Sequence, residues 1–81
     1  IHTHLHADHC ENDYKCSNAR FYIHELELKT ISNPHPLDYR YVEDFIFEIR
    51  EASQIETVKK DGELLPGISL MHTPAHTPGG M

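Results

Sequence analysis

The sequence has no tryptophan, and only 38% of its 81 residues are hydrophobic. A chain this short and polar has room for one small core. Mean hydropathy is −0.55. No apolar run is long enough to span a bilayer, and the opening residues do not read as a signal peptide. Positive charge is also scarce: seven basic residues stand against thirteen acidic ones, a net charge of −6. That balance disfavours nucleic acid or an anionic membrane as a partner held by bulk electrostatics. Two cysteines, Cys10 and Cys16, are too few for a disulfide framework and read as free thiols in a reducing cytoplasm. No internal repeat or low-complexity tract occurs.

Histidine is abundant instead, with eight residues. His2, His4, His6 and His9 fall within the first nine positions together with Asp8, and the dense part is spaced H-x-H-x-D-H. Side chains alternate in an extended segment, so His4 and His6 point the same way, roughly 6.6 Å apart along the chain. Two imidazoles at that separation can converge on one ion at about 2.0–2.1 Å per bond. Asp8 and His9 then suit a second, adjacent metal position if the chain bends after Ala7. Thr3, Leu5 and Ala7 are interleaved among these ligands, unlike the homopolymer of an affinity tag. The scarcity of thiolates separates the pattern from closed structural zinc sites.

The run Thr3-His4-Leu5-His6-Ala7-Asp8-His9 resembles the signature of the metallo-β-lactamase superfamily. The stretch from Gly67 to Gly80, with His72-Thr73-Pro74-Ala75-His76, resembles that family's next ligand motif. The resemblance implies that His76 joins His4 and His6 on a first metal, while Asp8 and His9 serve a second. It implies an α/β (α+β) chain forming part of a four-layer αββα fold, with residues 1–81 a partial domain. A bridging carboxylate and a final histidine are expected beyond Met81. Two departures stand out: Glu11 and Asn12 replace glycines that often follow the Asp-His pair, and Ala75 replaces another glycine.

The implied chemistry is hydrolysis. Three neutral imidazoles with an open fourth position make a catalytic zinc site, and zinc lowers the pKa of water from about 15.7 toward roughly 7. One or two zinc ions are expected, and iron is possible. Asp8 is the catalytic candidate, orienting the nucleophile or accepting a proton. The substrate expected is a small molecule with an ester-like bond, a lactone or thioester above all. The alternatives are a non-enzymatic module binding a single zinc and a mononuclear iron enzyme resembling the sulfur dioxygenases. The fold alone does not choose among them.

Between the two motifs, Ile1 to Leu5 read as a strand end and Asp8 to Ser17 as a short helix. Arg20 to His24 is a β-prone run. Glu25 to Ile31 reads as a short helix with His24 capping it, broken by Asn33-Pro34-His35-Pro36. From Asp38 to Ala52, Val42, Phe45, Ile46 and Ile49 follow helical spacing, with Asp38 as N-cap. Tyr39 or Tyr41 there is a possible substrate contact. Ile55 to Val58 read as an edge strand, and Lys59 to Gly62 as a turn. Glu63 to Leu65 and Ile68 to His72 read as a strand pair. Pro74 and Pro78 forbid a helix there, so His72 and His76 need not share an ion; His72 is placed in the wall behind. Cys10 reads as a buried, inert thiol.

Overall fold

A computed structural model of the chain describes residues 1–45 and 53–81. It shows a mixed α/β arrangement of short helices and two two-stranded sheets. A full four-layer sandwich is not contained in the described residues.

The centre of the fold is strand β1, Phe21–His24. Its aromatic and β-branched residues suit a pleated, half-buried surface, and Phe21, Ile23 and His24 are buried. It pairs in parallel with β2, Ile55–Val58, in the register Phe21↔Ile55 to His24↔Val58. The Gln54 side chain just before β2 donates to the carbonyls of Cys16, Ser17 and Ala19, fastening the loop that precedes β1.

β1 runs directly into helix α2, Glu25–Ser32. His24 caps it, its Nδ1 accepting from the Leu26 amide at 3.2 Å. Such a cap satisfies one of the helix's unpaired amides, and Glu25 and Glu27 in the first turn suit the positive end of the helix. Asn33-Pro34 ends it. The core gathers Leu5, Cys10, Phe21, Ile23, Ile31 and Tyr41, with Ala19, Leu28, Phe45 and Ile55 packed against it. A second sheet, β3 (Gly62–Leu65) and β4 (Ile68–Leu70), is an antiparallel hairpin. Its turn uses Gly67 at φ 84°, in the left-handed region that glycine tolerates. Among the described residues no helix is long and apolar enough to cross a membrane.

Three expectations change. Ile1 to Leu5 bend at Thr3 and form no strand ladder, because their backbone groups find different partners: the His2 amide donates to Tyr22 O, the Leu5 amide to the Glu27 side chain, and Thr3 O accepts from the Met81 amide. The helix expected from Asp8 to Ser17 is split into α1, Ala7–Cys10, and a single 3-10 turn, Asp13–Lys15. The helix expected from Asp38 to Ala52 does not start at Asp38. There the Asp38 side chain accepts from the Arg40 amide, a local turn that competes with a helix, and residue 41 bridges to His6 instead. Residues 43–45 are helical; the rest of that expected helix, with Ile46 and Ile49, lies outside the described residues.

Candidate metal centre

Leu5 is fully buried in the core. Alternation along the extended segment then turns His4 and His6 to its other side, where both are buried, at 9% and 2% exposure. The tip of the loop over residues 73–80 brings His76 to the same place. One ligand-type atom from each of His4, His6 and His76 lies within 4.8 Å of the others, with His76 exposed. Ring centroids stand 4.7 Å apart for His4 and His6, and 4.8 Å apart for each of them and His76. The planes cross at 83–85°, so the rings meet around one point rather than stacking.

Neighbours settle which nitrogen each buried ring presents. The Thr3 hydroxyl engages His4 Nδ1 at 3.1 Å, which leaves Nε2 for the centre. His6 Nε2 faces Asp38 Oδ2 at 3.2 Å. A carboxylate only accepts, so this nitrogen carries the proton and Nδ1 is left for the centre. The Arg40 guanidinium, hydrogen-bonded to Asp38 at 3.0 Å, holds that carboxyl below the usual range, with His6 adding to the effect.

Burial depresses the pKa of His4, and the crowding of His9, His6 and His76 lowers it further. A depressed pKa favours the neutral imidazole, the form that binds metal. Imidazole donors suit zinc, copper, iron or nickel rather than calcium or magnesium. Ligands of a tetrahedral ion with bonds of about 2.05 Å lie about 3.4 Å apart, so a separation of up to 4.8 Å closes with a small inward movement. The donor set fits such a cation.

The two other expected ligands stand beside this group. The His9 ring lies 4.1 Å from that of His4, and Asp8 Oδ2 lies 3.6 Å from His9 Nε2. Both side chains are exposed, at 45% for His9 and 79% for Asp8. Neither belongs to the three-histidine group. Tyr41, a possible substrate contact by sequence, is buried, whereas Tyr39 is exposed. Cys10 is buried, and its thiol is pushed up to about 12, chiefly by burial.

His72 braces the His76 loop from behind. Its ring stacks on that of His24, 4.2 Å between centroids and 8° between planes, and its Nε2–H donates to Pro78 O at 2.8 Å. The loop is pinched at its neck, where the Thr73 amide donates to Gly80 O at 2.7 Å.

Sequence reasoning passed over Glu27, which is 1% exposed. Its Oε2 accepts from the Leu5 amide at 2.9 Å and from the Tyr41 hydroxyl at 3.1 Å. Its Oε1 accepts from the Gly79 amide at 2.9 Å. The available signal was a carboxylate one helical turn before Ile31, on the apolar face of α2. Asp38 was noticed only as a helix cap.

No protein-family model matches the chain, and no solved structure is significantly similar to it. The curated proteins similar to it include two lactonases. An N-acyl homoserine lactonase from Bacillus cereus is 30% identical over 80 residues, which are 98% of this chain and 29% of the relative. An N-acyl homoserine lactonase from a Bacillus species is 29% identical over 80 residues, with the same coverages. The chain spans less than a third of the length of these relatives.

Proposed function

We propose that this chain carries the first metal position of a hydrolase of the metallo-β-lactamase superfamily, acting on an ester-like bond, with a lactone or thioester as substrate. The observation that carries this is the meeting of His4, His6 and His76, brought from two remote stretches to within 4.8 Å. Its likeness to proteins named as lactonases points the same way. The wider domain would be the four-layer αββα fold, of which residues 1–81 form a part.

In this reading His4, His6 and His76 hold the ion, zinc in preference to iron. When bound, such a cation supplies Lewis acidity and a water acidic enough to attack at neutral pH. The chain's own residues do the rest. Asp38 fixes the tautomer and orientation of His6. Burial keeps His4 neutral and ready to ligate. Asp8 stands in solvent beside His9, where it can orient a nucleophile or take a proton. Asp8 and His9 would hold a second ion together with residues outside this chain. His76 is the exposed member of the triad, so a small-molecule substrate approaches from its side.

A second reading is a non-enzymatic module with one metal. The position of Asp8 and His9 outside the three-histidine group favours it. Metal analysis of the full-length protein, paired with a panel of esters, lactones and thioesters, separates the two. Close to two ions per chain and turnover abolished by His4→Ala support the hydrolase. One tightly held ion with no turnover supports the module, and no bound metal removes both.

A further inference from the structure

We propose that Glu27 is a positioning residue of the metal centre. Its buried carboxylate sets the spacing between the segment that carries His4 and His6 and the loop that carries His76. The inference rests on the three histidines being a metal site.

The geometry is a three-way junction. The Leu5 amide, which donates to Oε2 at 2.9 Å, lies between the two ligands of the N-terminal segment, so displacing it displaces both. The Gly79 amide, which donates to Oε1 at 2.9 Å, belongs to the same short loop as His76. The Tyr41 hydroxyl donates to Oε2 at 3.1 Å, while the backbone of the same tyrosine bridges to His6. One side chain on α2 therefore ties down both halves of the triad, which are also joined near this point by the bond from the Met81 amide to Thr3 O.

Two further observations set Glu27 apart from an incidental core acid. Burial is costly to a carboxylate unless its acceptors are filled, and a side chain only 1% exposed would by hydropathy alone be a leucine. Here both oxygens are engaged, and two of the three donors are backbone amides of ligand-bearing segments. The approach of Gly79 to α2 is also as close as a chain permits. A Cβ on Gly79 would lie 2.5 Å from the Glu27 nitrogen and 2.8 Å from its Cγ. The loop is thus seated on the first turn of α2, and that contact sets how near His76 comes to the other imidazoles.

Glu27→Gln tests this, because an amide replaces one acceptor with a donor and must oppose either the Gly79 amide or the Leu5 amide. Cobalt is the probe, titrated into the full-length protein and followed by its visible d–d absorption, which reports coordination geometry. The expected result is at least tenfold weaker Co²⁺ binding by Glu27→Gln and an altered d–d spectrum, with unchanged far-UV circular dichroism of the metal-free protein. Glu27→Asp, which keeps two acceptors, should fall between it and the wild type. Wild-type affinity and spectrum in folded Glu27→Gln overturn the proposal. If that variant does not fold, Gly79→Ala decides: it leaves the carboxylate intact and wedges the loop outward, so lost affinity supports the proposal and unchanged binding overturns it. Absence of Co²⁺ binding by the wild type would instead remove the metal site itself, and the role of Glu27 with it.

Discussion

Asp38 Oδ2 stands 3.2 Å from Nε2 of His6, while its Oδ1 accepts from Arg40 Nε at 3.0 Å. The carboxylate thus links a buried imidazole to an exposed guanidinium, and it decides which His6 nitrogen faces the three-histidine group. Asp38→Asn keeps the shape and removes the charge. Metal affinity should fall by about 10–100-fold, the usual effect of losing a carboxylate behind a ligating histidine. A competition titration against a chromophoric chelator measures this, and unchanged affinity would show that Asp38 does not orient His6.

His76 should matter more to metal than to folding. It is exposed, so His76→Ala should change unfolding free energy by no more than about 0.5 kcal/mol. In the proposed reading His76 is a direct ligand, and removing one should cost at least what losing its support costs, roughly 100-fold in metal affinity or more. Equal metal binding by the variant would place the ion elsewhere.

The pH dependence follows from His4. Its pKa in the folded chain lies below the ordinary 6.5 because burial and three neighbouring imidazoles disfavour the charge. The unfolded chain therefore takes up this proton first as pH drops. The metal-free protein keeps its full stability above about pH 6.5 and loses it as pH falls toward the depressed value. Metal affinity weakens in the same direction, since protons compete for the imidazoles. Urea melts of the metal-free protein from pH 8 to pH 5 check the sign; stability that rises on acidification would contradict this account.

The two cysteines should differ sharply in reactivity. Cys16 is exposed. Cys10 is 2% exposed, its Sγ donates to His6 O at 3.5 Å, and its thiol is pushed up to about 12. Iodoacetamide near pH 8 should label Cys16 alone until denaturant is added, because the thiolate is the nucleophile. Mass spectrometry reads the sites, and equal labelling rates would mean that the segment around α1 is not packed as described.

Ile23 has no exposed surface and stands at the middle of β1. Ile23→Ala should destabilise the fold by about 2–5 kcal/mol, through lost burial and the cavity left behind. Denaturant titration measures this; a loss below about 1 kcal/mol would argue that β1 is not the centre of the core.

Much of the local structure can be read from residue types. Phe21-Tyr22-Ile23 announces β1, Asn33-Pro34 stops α2, and Pro66-Gly67 turns the β3–β4 hairpin. Of the histidines that the fold assembles, His4 and His6 stand in the stretch marked by its spacing, and His76 in the stretch marked by the family resemblance. What was hidden depends on contacts made through space. Nothing local tells that Phe21 pairs with Ile55 in parallel. The Leu5 amide finds a glutamate on α2 in place of a neighbouring strand, so an alternating pattern that suits a strand does not form a ladder. Asp38 carries a signal for a helix cap, but its side chain turns back to Arg40 and across to His6, and the helical spacing after it is overridden at residue 41.

The parallel register of β1 and β2 has a consequence for the order of assembly. His4 and His6 precede that pair in the chain and His76 follows it, so they leave the ribosome well apart in time. Closing such long loops is slow compared with forming helices or hairpins. A nascent chain holds only two members of the His4–His6–His76 group until β2 and the β3–β4 hairpin have been synthesised. In the proposed reading, tight capture of a metal would therefore be a late event, and loading would report that this region has finished folding.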